Sequence, residues 1–168
     1  IATNDITLEA DGDITTTGSG TIAVIASTGS ITMDTEASSN TVDGDQFFSA
    51  GDATTDTLTI GDIIASNAAV VLQTPGSILD ADSEADTDLD VTAVSAFFDA
   101  GVNVGTNINA IETDVDELTA LADGVDGIYL DQFSDTMIGA AFVAAIQVVQ
   151  TDASTSQQDV TGEDLVTT

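Results

Sequence analysis

The sequence predicts an all-β fold of short strands laid at even intervals, and three features predict it. Apolar anchors at Ile6, Ile14, Ile22 and Ile31 recur every eight or nine residues. Each sits in a short apolar/polar alternation, the period of a strand with one buried face. Gly, Asp and Asn punctuate the intervals, as turns require. With only 4% aromatic residues, the core must be built from Ile, Val, Leu and Ala, which suits thin, repetitive packing.

Residues 4 to 33 therefore form the first regular strands. From Asp34 to Thr57 the alternation loosens around the pair Phe47-Phe48. This stretch, about residues 34–57, is expected to leave the strand stack, its rings covering an end or flank of the core or anchoring an ordinary polar loop. Strands resume at Leu58-Thr59-Ile60, Ile63-Ile64 and Ala69 to Leu72, until Pro75-Gly76 supplies a turn and Ile78-Leu79 opens another strand.

From residue 80 to 90 every second position is acidic: Asp80, Asp82, Glu84, Asp86, Asp88 and Asp90. In an extended chain all six carboxylates project to one side. Such a row suits a hard, oxygen-seeking cation, Ca²⁺ above all, and the six are the candidate metal ligands. The competing reading is a solvated acidic loop. An EF-hand is excluded, because Ala85 stands where the turn glycine is needed and Val91 where the bidentate Glu is needed.

Between Ile111 and Leu121 the three-residue spacing of Val115, Leu118 and Leu121 admits a helix. The Thr and Val content and the flanking glycines Gly124 and Gly127 favour a strand. A second pair, Phe97-Phe98, stands fifty residues after the first, as a weak internal repeat would place it. The most apolar stretch, Ile138 to Gln150, is likewise expected as strand. A polar spacer and one more short strand over Val160 to Thr168 follow.

Charge narrows the function. Thirty Asp and Glu stand against no Lys, Arg or His, a formal net charge of -30. Nothing in the chain can neutralise a phosphate, which excludes nucleic-acid binding and unaided attraction to an anionic membrane. No internal salt bridge to a basic side chain exists, so repulsion must be relieved by spacing, salt or bound cations. Cysteine is absent, and no apolar run approaches the ~20 residues of a membrane span. There is also no His- or Cys-based nucleophile system, no P-loop and no G-x-S-x-G, so catalysis is not expected.

The G-D-I-T opening and the composite G-V-N-V-G-T-N-I-N-A-I-E-T-D-V-D-E-L-T-A, followed by G-I-Y-L-D, resemble the filamentous-haemagglutinin type of repeat in giant secreted bacterial surface proteins. The matching positions are Gly105, Thr106, Asn109, Ile111, Thr113, Val115, Leu118 and Ala120, then Gly127, Ile128 and Tyr129. The resemblance implies a right-handed parallel β-helix, that is, a solenoid. Bottom-up, three strand segments of about eight residues give coils of roughly two dozen, each buried only when stacked on a neighbour. A β-sandwich filament subunit is the alternative fold.

The expectation is then one solenoid segment, residues 1–168, of a large extracellular fibre or cell-surface adhesin that assembles end to end. Its junction would join Ile1, Ile6 and Leu8 to Val160, Leu165 and Val166 of a preceding copy or repeat. The alternative is an acidic module that binds cations or carbohydrate.

Overall fold

The computed structural model describes residues 1–82 and 88–139 and, beyond them, the backbone of three strands. Every regular element is a strand, and no helix is present among the described residues. The first coil is β1 (Ile6–Leu8), β2 (Ile14–Thr15) and β3 (Ile22–Ala26), and the second is β4 (Ile31–Met33), β5 (Ser38–Thr41) and β6 (Gln46–Ala50). In the third, β7 (Leu58–Ile60) precedes β8 (Asp62–Thr74), which turns a corner and does the work of two strands. Its first part pairs with β5 and its second with β6.

The pairs β9 (Ile78–Asp80) with β10 (Val91–Ala100) and β11 (Asn103–Val104) with β12 (Ile111–Ala122) repeat that plan. The layer formed by β13 (Gly127–Ile128), β14 (Leu130–Gln132) and β15 (Met137–Ile138) completes it. All these strands pair in parallel, one wall running β1-β4-β7-β9-β11-β13 and the others forming a continuous ten-stranded sheet. The architecture is a parallel β-solenoid six layers deep. The β-sandwich alternative falls, because a sandwich is built of antiparallel sheets.

Parallel pairing in register turns sequence alternation into vertical columns of side chains. Ile6, Ile31, Leu58, Ile78, Val104 and Ile128 form one such column, at intervals of 25, 27, 20, 26 and 24 residues. Val24, Phe48, Leu72, Phe98 and Ala120 form another. Phe48, Leu72 and Phe98 are fully buried, so the fifty-residue spacing of the two Phe pairs is two turns of the solenoid. The interior also carries polar residues where the apolar pattern lapses. Gln46 Nε2 donates to the carbonyl of Ile64 at 2.8 Å, and Ser39 Oγ donates to Gln46 Oε1 at 2.6 Å, so these buried groups are satisfied.

Two segments depart from the sequence reading. Residues 34–57 do not leave the stack, because they supply β5 and β6 to it. Phe48 enters the core, and Phe47 lies on the opposite face. The departure from the stack occurs later, where β16 (Val143–Val149) and β17 (Thr155–Thr161) form an antiparallel hairpin. Thr155 to Asp159, which the sequence reads as polar spacer, is thus strand and runs straight into Val160 and Thr161, where a strand is expected. The chain rejoins the stack with β18 (Val166–Thr167), parallel to β12. Ile111–Ala122 is strand throughout, as expected.

Candidate functional site

The acidic segment begins where an apolar column ends. Ile60 and Asp80 are register partners, so Asp80 takes the place that the buried Leu8, Met33 and Ile60 hold in the preceding coils. Asp90 lies at the next corner, just before β10, and Glu112 is the second residue of β12. Because Val91 pairs with Thr113, Asp90 and Glu112 stack directly. Asp90 N donates to the Glu112 carbonyl at 3.0 Å, and Glu112 N donates to Asp90 Oδ2 at 2.8 Å.

The outcome is a buried carboxylate triad. Asp80, Asp90 and Glu112 are 9%, 6% and 3% exposed, and each offers an oxygen within 4.8 Å of the other two. Burial raises the pKa of Asp90 to about 9. The Glu112 N–H bond opposes that rise, while the charges of Asp80 and Glu112 add to it. Since the chain has no Lys, Arg or His, the countercharge has to come from protons or from an added cation.

The same register extends the triad into a longer column. Ser38 N donates to Asp13 Oδ1 at 3.1 Å, Ser38 pairs with Asp62, Asp62 adjoins Asp90, and Glu112 pairs with Asp131. Asp13 and Asp131, at the two ends, are exposed, whereas the middle is covered. Burial also raises the pKa of Asp62, helped by the charges of Asp88 and Asp13.

Of the six carboxylates predicted as ligands, the structure brings Asp80 and Asp90 together. Asp82 and Asp88 line an adjoining cleft of about 290 Å³ with Thr35, Gly61, Asp62, Leu89 and Asp90. Glu84 and Asp86 lie outside the described residues. The picture of six carboxylates along one extended strand is corrected at its near end. Asp82 N turns back to donate to Asp80 Oδ1 at 2.8 Å, a side chain to backbone turn two residues long. Glu112 was missed, and only the coil register could have found it. Asn109 braces the corner, donating from Nδ2 to the Asp82 carbonyl at 2.6 Å. Its Oδ1 is the one buried side-chain polar atom among the described residues that has no partner.

A second, shallower groove of about 490 Å³ runs across several coils past Thr54, Gln73, Asp99 and Asp123. Gln73 Nε2 donates to Asp99 Oδ2 at 3.3 Å. The pKa of Asp99 is raised by burial first and by Asp123 second, with the Gln73 bond opposing.

Three buried carboxylates make an oxygen-only donor set, the kind a hard cation such as Ca²⁺ takes. The set holds no imidazole or thiolate, so it does not suit softer metals. No protein-family model matches the chain, and neither a curated protein nor a solved structure matches it.

Proposed function

We propose that this chain is a structural segment of a large extracellular fibre or cell-surface adhesin, stacked end to end on further copies or repeats. One observation carries this reading: among the described residues, the columns run out at both ends of the solenoid with strand edges left unused on β1, β2 and the last layer. Among the described residues β1 and β2 pair along one edge only, and half-buried Ile6 and Ile14 stand on that first coil. At the other end, Ile128, Leu130 and half-exposed Ile138 surround an apolar cleft of about 250 Å³. An open coil presents unpaired N–H and C=O groups together with an uncovered apolar interior, and both are relieved by another coil. The likeness to filamentous-haemagglutinin repeats points the same way, as does the lack of any trypsin-type cleavage site.

Column geometry refines the junction. Ile6 of a following copy would continue the column that ends at Ile128. Ile22 would continue the column of Gln46, Val70, Ala96, Leu118 and Ile138. Among the residues first expected at the junction, Ile1 is exposed and Leu8 lies on β1, while Val166 sits beside Leu121 in the last layer. Val160 pairs with Ala144 in the hairpin, and Leu165 lies outside the described residues. Sedimentation at rising protein concentration tests the proposal. The wild type should form a ladder of oligomers, and Ile6→Asp or Ile138→Asp should leave folded monomers; oligomers insensitive to both substitutions would refute this junction.

The buried triad favours a second reading, in which the corner holds a cation and the segment is an acidic binding module. Titration calorimetry with Ca²⁺ after chelation tests it. Stoichiometric heat that Glu112→Gln abolishes supports a site, and absence of heat rejects one.

A further inference from the structure

Phe47, Val71 and Phe97 alternate along their strands with the core residues Phe48, Leu72 and Phe98, so they face away from the interior. They are nonetheless only 1%, 0% and 3% exposed. They are register partners on three successive coils and form a vertical apolar strip. The described apolar residues packed against this strip, Ala23, Ile25 and Ala69, belong to the same sheet and flank it. Side chains standing on a sheet become this inaccessible only beneath a second layer, which in packed sheets lies ~10 Å away.

We propose that the β16–β17 hairpin of this same chain is that layer. The hairpin strands pair with each other and with no other described strand. A lone two-stranded hairpin is marginal in water, so it needs a surface to lie on. Both of its connections lead to the strip. Thr119 is the register partner of Phe97, and its Oγ1 donates to the Gly139 carbonyl at 3.4 Å. The chain therefore leaves the stack at the next position of the same column. It returns at Val166, opposite Leu121, two residues further along β12.

Chain length fixes the hairpin there. From Gly139 to Val143 the backbone spans at most ~14 Å, and from Thr161 to Val166 at most ~18 Å. A seven-residue strand is ~23 Å long, whereas Thr119 and Phe47 are three strand spacings, ~14 Å, apart. The hairpin thus reaches the whole strip when it runs along the solenoid axis. Its composition fits an apolar seat: V-A-A-I-Q-V-V carries no charge, and Asp159 is the single carboxylate on either strand, in a chain that has thirty. The flank is then occupied from within rather than by a partner.

Because the chain has no cysteine, crosslinking reads this directly. Val71→Cys is combined in turn with a cysteine at positions 144, 145, 146 and 147 and treated with a short bismaleimide. The expected result is intramolecular crosslinking at alternate positions, independent of protein concentration. Failure at every position overturns the proposal, as does equal yield at all four, the mark of a hairpin that only sweeps past. Crosslinks solely between chains also overturn it and assign the strip to a second copy. As an independent reading, Phe97→Trp in the full chain should be shielded from acrylamide, and replacement of residues 140–161 by a glycine-serine linker should expose it. Quenching in the full chain would contradict the proposal.

Discussion

Two columns of the same ten-stranded sheet stand a few residues apart and meet opposite fates. One is Ala23, Phe47, Val71, Phe97 and Thr119; the other is Asp13, Ser38, Asp62, Asp90, Glu112 and Asp131. In a solenoid each residue contacts its equivalents one layer up and down, so a column is a one-dimensional stack that amplifies whatever chemistry it carries. Apolar members gain from every neighbour. Carboxylates ~4.8 Å apart gain nothing from one another and are tolerated only with hydrogen bonds, protons or cations between them. The serine at position 38, donating twice to Asp13, is the local remedy at one end. At the buried middle the remedy is a proton on Asp90 or a bound cation.

The largest effect that would sharpen this contrast comes from the apolar side. Phe48→Ala empties a fully buried interior position and should cost about 3–5 kcal/mol. Phe97→Ala, on the outward strip, should cost nearly as much, because the strip is a second core; a loss below about 1 kcal/mol in chemical denaturation would make it mere surface.

Next comes the cation. If the triad binds Ca²⁺ in the folded state alone, ligand at a hundredfold excess over Kd should stabilise the fold by about 2.7 kcal/mol, and Glu112→Gln should remove that gain. A melting temperature indifferent to Ca²⁺ would leave protons as the sole countercharge.

The acidic column makes a pH prediction whose sign runs against common experience. Asp90 has a folded pKa near 9, above the ordinary value of 3.8. The folded state therefore holds its proton more tightly than the unfolded state. Stability is fully present below pH ~4 and is lost as pH climbs toward 9. Asp90→Asn should raise stability at pH 7 by about 2 kcal/mol and flatten the profile, since an amide keeps the acceptor for Glu112 N. Mild acidification should stabilise the wild type, and stability that rises from pH 5 to 8 would contradict the assignment. The smallest effect belongs to Asp99. Its raised pKa predicts a shallower loss in the same direction, and Asp99→Asn should remove it without affecting the Ca²⁺ response.

How much of this was legible in the sequence follows from the same column logic. Where inward positions are apolar, as at Ile22, Val24, Ile31 and Met33, alternation announced the strands. Where the interior is polar, at Ser39, Thr41 and Gln46, the pattern vanished, and residues 34–57 read as a loop even though hydrogen bonds keep them in the stack. Two of the three triad residues were visible, because Asp80 and Asp90 belong to an obvious acidic run. Glu112 lay hidden, since coils of 20 to 27 residues do not tell which residue stacks on Asp90 until the register is known. The first hairpin strand was readable from its β-branched Val148 and Val149, whereas most of the second, polar from Thr155 to Asp159, was not. The hairpin's departure from the stack was not readable either, because both its strands and the coils use the same local geometry.

If, as proposed, the solenoid is one length of a longer stack, fibre diffraction and electron microscopy of the protein at high salt and millimolar Ca²⁺ will show it. Six layers at ~4.8 Å predict filaments with a meridional 4.8 Å reflection and an axial repeat of ~29 Å per chain. Compact monomers alone under those conditions would contradict it.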